Sequence, residues 1–186
     1  MPKALDIIRN EHRSISVVLD NLRRLARDAM GRGWRVDKAV FGAIVTYLEN
    51  FADRVHHPKE DQYLFAALRR HDAQAEALIA GLEREHAGGE QALRDLRQSL
   101  DRFEAVGEAG YAGFEKAVED FAQAYFEHMR KEEQQVFPLA QKLLTPADWA
   151  AIDRAFEENR DPLATGRAEK DDQKRFERAI NLYSDR

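Results

Sequence analysis

Four long stretches of this 186-residue chain repeat apolar side chains at intervals of three, four and seven. That is the period of a helix with one buried face. In residues 3–30 the stripe is Ile8, Ile15, Leu19, Leu22 and Ala26, and Gly31 and Gly33 stop it. Asp37 caps a second helix that carries Phe41, Ile44, Leu48, Ala52, Leu64 and Leu68 out to about Arg70, with a kink expected at Pro58. After a break at His71-Asp72, the third helix shows Ala75, Ile79, Leu82, Leu93, Leu96 and Leu100. Gly107 and Gly110 mark the next turn. The fourth helix runs from about Tyr111 to Leu144, with Ala117, Phe121, Ala124 and Val136 expected to face inward and Pro138 near its end. Thr145-Pro146 then reads as a cap and first turn for a short helix over Ala147 to Glu158. Asp161-Pro162 and Gly166 read as a loop, and residues 169–183 as a last amphipathic helix. The expected fold is all-α: an antiparallel up-down-up-down four-helix bundle over residues 1–145, and a C-terminal extension over 146–186 with two additional helices.

Composition narrows the function. The net charge is −5, with 29 Lys and Arg interleaved among 34 Asp and Glu. Such a surface is a solvated helical one and offers no concentrated basic face for nucleic acid. No apolar run approaches the ~20 residues that cross a bilayer, and no apolar signal core opens the chain, so a soluble, cytoplasmic protein is expected. The chain has no Cys. Thiol nucleophiles, zinc–thiolate sites and cysteine-held clusters are therefore excluded, and a metal would have to be held by His and carboxylate. Serines 14, 16, 99 and 184 lie on helices or at the terminus, which gives no support to a Ser-His-Asp triad.

Four of the six histidines fall on the inward stripes, one per long helix: His12, His56, His86 and His128. The distances along the chain match. About 19 residues separate His12 from the first turn and about 20 separate that turn from His56. The next arms are about 15 and 14 residues, and the last about 20 and 17. With antiparallel helices rising about 1.5 Å per residue, all four imidazoles converge within roughly one turn. Core packing does not require four imidazoles at one level, whereas a metal site does.

Glu60 follows His56 by four and Glu132 follows His128 by four, so each pair shares a helix face. The second and fourth helices run the same way, which sets both carboxylates at one level beside the imidazole layer. Two facing buried carboxylates are costly unless cations lie between them. They could bridge two metals, with His12 and His56 on one and His86 and His128 on the other. Glu90 follows His86 by four on the opposite side of the layer and is an additional candidate ligand. His57 shares a face with Asp53 and Asp61, which reads as polar, although the Pro58 kink could turn it inward. Glu133 points away from Glu132 and reads as solvated, His71 as exposed, and Tyr125 as a packing residue. The ferritin-like Glu-x-x-His unit occurs once, at Glu83 to His86, without a second copy.

The order His12, His56-His57-Pro58-Lys59-Glu60, Glu85-His86 and His128-Met129-Arg130-Lys131-Glu132-Glu133 with Phe137-Pro138 resembles the hemerythrin-like, HHE cation-binding, domain over residues 5–140. Leu144-Thr145-Pro146-Ala147-Asp148-Trp149 is similar to the extension of its bacterial single-domain members. The resemblance implies a four-helix bundle holding two iron ions with an oxo or hydroxo bridge, zinc or manganese being the alternatives. It implies His12, His56, His86 and His128 as terminal ligands and Glu60 and Glu132 as bridges. It implies a small ligand as partner (dioxygen, nitric oxide or peroxide), bound or sensed by a monomer or homodimer. The alternatives are an enzyme that decomposes peroxide or oxidises ferrous iron, and an iron or zinc reservoir. The oxygen carriers of the family have a fifth His on the third helix, where this chain has Leu82 and Glu90. That departure weakens the case for reversible dioxygen carriage.

Overall fold

Apolar periodicity becomes four long rods in the computed structural model, which describes residues 2–159 and 161–165. They are α1 (Lys3–Asp28), α2 (residues 38–71), α3 (Glu76–Val106) and α4 (residues 108–143), followed by α5 (Pro146–Glu157) and a single turn, α6 (Pro162–Thr165). The α6 turn replaces the loop expected at Asp161-Pro162, while the helix expected over 169–183 lies outside the described residues.

The direction of each rod is legible in the core, which divides into two clusters. One takes Ile15 to Ala29 from α1, Val40 to Ala52 from α2, Leu93 to Phe103 from α3 and Tyr111 to Met129 from α4. The other takes Ala4 to Ile8, Leu64 to Leu68, Ile79 with Leu82, and Val136 to Ala140 from the same four helices. Successive helices thus cross from one cluster to the other in opposite senses, the up-down-up-down arrangement. Between the two clusters lie the buried polar residues Glu11, His12, His56, His57, Glu60, His128 and Glu132.

Two helices are wound wider at this level. In α2, Leu48–His56 and Glu60–Phe65 are π-helical, separated by the α-turn His57–Lys59 that contains Pro58. In α4, Glu132–Val136 is π-helical just before Pro138. Proline lacks the amide hydrogen that closes an α-turn, and wider turns absorb the mismatch. The kink expected at Pro58 falls where the winding changes.

The turns and faces depart from the sequence reading in two places. The α3–α4 turn is made by Gly107 alone, at φ 63°. Gly110 lies inside α4 where a Cβ would come within 2.8 Å of the Phe103 Cα, so close helix approach, not a turn, requires it. Ala124 is exposed and Ala117 half-buried, while Phe114, Val118 and Ala122 face the core. Phe121 and Val136 face inward as expected, so the departure is confined to the two alanines.

The α5 helix closes the end of the bundle. Thr145 accepts from the Asp148 amide, and Asp148 accepts from the Thr145 amide, a complete capping box. Arg70 and His71 of α2 also bond Asp148, at 3.0 and 2.8 Å, and these bonds with Thr145 hold its carboxyl well below the usual range. Ile152 and Phe156 complete the second core cluster, and Lys59 donates to the Ala155 carbonyl. Thr145→Ala is expected to cost about 1 kcal/mol, read as a melting temperature lower by about 2–4 °C. An unchanged melting temperature would show that α5 docks through its apolar face alone.

Candidate metal centre

Each long helix delivers one imidazole into the waist between the core clusters, because each His occupies the inward stripe one turn from a buried apolar residue. His12 follows Ile8, His56 follows Ala52, His86 follows Leu82, and His128 follows Tyr125 by three. The rings close on one another. His86 Nε2 and His128 Nε2 are 2.9 Å apart, and the rings of His12 and His56 are 5.1 Å apart.

The outward nitrogens are all held by carboxylates. His12 Nδ1 lies 2.9 Å from Glu133, His56 Nδ1 2.8 Å from Glu11, His86 Nδ1 2.8 Å from Asp61, and His128 Nδ1 2.9 Å from Glu85. The donors and acceptors form a ring around the bundle: α1 supports α2, α2 supports α3, α3 supports α4, and α4 supports α1. A carboxylate only accepts, so each Nδ1 carries a proton, and a neutral ring turns its Nε2 lone pair inward. Two such lone pairs at 2.9 Å need a proton or a cation between them. Asn159, beyond α5, donates to Glu11 at 2.9 Å, and Lys131 pairs with Glu85.

Glu60 and Glu132 occupy the middle and are fully buried. Glu132 spans the two imidazole pairs, with Oε2 3.3 Å from His12 Nε2 and Oε1 3.3 Å from His128 Nε2. Glu60 Oε2 lies 3.5 Å from His56 Nε2 and 3.7 Å from His86 Nε2. Both oxygens of each carboxylate, and the Nε2 atoms of His12 and His56, make no hydrogen bond. Orphaned, buried acceptors of this kind are rare in folded proteins. They form two sets sharing Glu60: His12, His56 and Glu60, and Glu60, His86, His128 and Glu132. Three clusters, these two and a third of His57, His86 and His128, bring one donor atom per residue within 4.8 Å of each other. The arrangement can hold two metal ions.

Electrostatics reflects this crowding. Burial, reinforced by Glu132, pushes the Glu60 carboxyl well above its ordinary range. Burial acts the same way on Glu132, but His128 and His12 outweigh it and hold its pKa low. For His12, burial opposes the charge, yet Glu132 and Glu133 prevail and lift its pKa to about 9.

Several residues sit differently from the sequence expectation. His57 is buried, not on a polar surface: its ring stacks on His86 at 4.2 Å and 11°. The wide turns on either side of Pro58 bring both His56 and His57 inward. Glu133 is bonded to His12 rather than merely solvated. Tyr125 does more than pack, donating to Asp53 Oδ1 at 2.9 Å. Burial pushes Asp53 up to about 6, against the Tyr125 hydrogen bond. Glu90 points outward to Arg94 and takes no part. Reading each chemistry-bearing side chain by its own helical angle overlooked Glu11, Asp61 and Glu85. A signal was present, because each is adjacent in sequence to His12, Glu60 or His86.

A family model, the hemerythrin HHE cation binding domain, matches residues 3–140. The chain belongs to this family. Comparisons with curated proteins and with solved structures gave no match. Among the described residues, no helix of this hemerythrin-family chain is long and apolar enough to cross a membrane.

Without metal, unfolded Glu60 and His12 release protons near their ordinary values of 4.5 and 6.5, while the folded groups hold theirs to higher pH. Their contribution to stability is therefore complete at low pH and lost as pH rises. For His12 the loss falls between about 6.5 and 9. Thermal melts of metal-free protein are expected to show stability declining across that window, with a shallower decline in His12→Ala. A flat profile would contradict the assigned charge states.

Proposed function

We propose that the protein holds a dinuclear iron centre that binds or senses a small ligand: dioxygen, nitric oxide or peroxide. The observation that carries this reading is the posture of Glu132, which reaches one imidazole pair with each of its orphaned oxygens. In this reading His12 and His56 hold one ion, His86 and His128 hold the other, and Glu60 and Glu132 bridge them. The donor set is imidazole and carboxylate without thiolate, which suits iron, with manganese and zinc as competitors. The carboxylates on the four Nδ1 atoms fix each ring and raise its basicity toward a metal. Two iron ions would supply Lewis acidity and electrons at a buried waist flanked by two apolar clusters.

The protein's own residues set the conditions for uptake. Metal must displace the proton that Glu132 and Glu133 hold on His12. Affinity is accordingly expected to rise with pH and to level off above about 9, where His12 has lost its proton. Anaerobically purified protein is expected to take up two irons per chain, measured by elemental analysis without a metal-binding tag. Glu132→Ala should abolish stable loading of the pair. Glu133→Ala should weaken affinity by about 10–100-fold, the usual effect of removing a carboxylate behind a ligand histidine. His71→Ala, whose partner is Asp148, should leave loading unchanged. Equal loading of the Glu132 and Glu133 variants would overturn the bridging assignment.

The same centre, if catalytic, would turn over peroxide or oxidise ferrous iron. Consumption of either at a rate abolished by Glu60→Ala would move the reading from binder to enzyme. Full loading with zinc, and no optical change on oxidation, would leave a reservoir.

A further inference from the structure

The two halves of the centre meet the surface differently. His56 is closed off: its Nδ1 is on Glu11, and Asn159 covers Glu11. His12 borders a small cleft of about 230 Å³ shared with Ser16 and Met129, where Glu133 occupies its outer nitrogen. His86 and His128 border a much larger groove, about 590 Å³, between α3 and α4. Small residues open it: Gly88, Gly89 and Ala92 on α3 face Ala117 and Ala124 on α4. A Cβ at Gly89 would come within 2.9 Å of Asp53 Oδ1 and displace that carboxylate.

His57 lines the same groove and differs from the other four imidazoles. Each of those has Nε2 within 4 Å of Glu60 or Glu132. His57 has no such contact; its one close carboxylate is Asp53, 3.4 Å from Nδ1. That nitrogen is buried and makes no hydrogen bond. The near-parallel stacking on His86 also matters. It sets the two rings in near-parallel planes, so an ion held in line with the His86 lone pair would lie off the line of the His57 lone pairs, even though one nitrogen of each comes within 4.8 Å of the other and of His128. His57 stands beside the His86–His128 half, where its other neighbours are Tyr125 and Asp53.

We propose that the exogenous ligand reaches the His86–His128 half through the α3–α4 groove and that His57 meets it there as a hydrogen-bonding partner, not as a metal ligand. Asp53, held by Tyr125 and given room by Gly89, stands 3.4 Å behind the His57 Nδ1 and is placed to bond it once the ligand engages the ring. The ligand class is a small linear or diatomic molecule with a hydrogen-bonding terminal atom. The proposal rests on the dinuclear reading above and adds to it a route and a receiving residue.

The test uses the full iron-loaded, oxidised chain with azide as the probe. Iron content, azide association rate and azide affinity are measured separately. Ala124→Trp fills the groove from an exposed position, Ala92→Phe fills it from the other wall, and Ser16→Trp fills the smaller cleft. Both groove variants should keep two irons and slow association by at least about tenfold, while Ser16→Trp stays within about twofold of the parent. His57→Gln should keep two irons, shift the azide absorption band and weaken affinity by about fivefold, the scale of one hydrogen bond. Slow association in Ser16→Trp with none in the groove variants would overturn the route. Loss of one iron in His57→Gln would make it a ligand and overturn its assigned role, as would unchanged affinity. Failure of the parent protein to load iron or to bind azide would instead remove the dinuclear reading itself, and the proposal with it.

Discussion

Two carboxylates enclosed in the middle of a helical bundle are the constraint around which this fold is arranged. Glu60 and Glu132 have no solvent, no backbone donor and no Lys or Arg to satisfy them. Charge in such a place is tolerated only when something of opposite sign is fixed against it. Here His12 and His128, both held toward the protonated form, face Glu132 in the metal-free chain, and in the reading advanced above two cations take that role. The apolar core is split in two as a result, because every helix gives up roughly two to three turns to the polar waist.

The ring of carboxylate–imidazole pairs ties the four helices together in a way that apolar packing cannot. Each helix presents a His inward and an acid sideways to the next helix in the ring. Rotation of α1 would disturb both His12 and, through Glu11, His56. Apolar contacts tolerate such rotation, since one methyl group replaces another. Hydrogen bonds near 2.9 Å do not. The waist therefore sets the rotational register of the bundle, and the two apolar clusters supply most of its burial.

The level and identity of the six central residues were legible in the sequence because period and arm length are both one-dimensional quantities. His12, His56, His86 and His128 share a level by counting alone, and Glu60 and Glu132 follow from a spacing of four. What was not legible depended on departures from regular winding or on a neighbouring helix. His57 was placed on a polar face by a 3.6-residue period that α2 does not keep. Ala117 and Ala124 were assigned to the core by their apolarity, yet they border the groove; small side chains there leave space rather than fill it. Glu11 is bonded by His56 and by Asn159 from beyond α5, and no local pattern in α1 announces those partners.

The wide turns of α2 carry a further consequence. They accommodate residues that a regular helix of the same length would have to leave out. Deleting one residue within either wide stretch would let that stretch rewind to a regular helix, so the residues beyond it would keep their face while those inside it would lose theirs. Leu68 would stay in the second core cluster while His56, His57 and Glu60 fell out of alignment with one another. Substitutions along this segment act one side chain at a time, but a change in its length acts on the whole waist. In relatives that keep the centre, this stretch should vary in letters far more freely than in number.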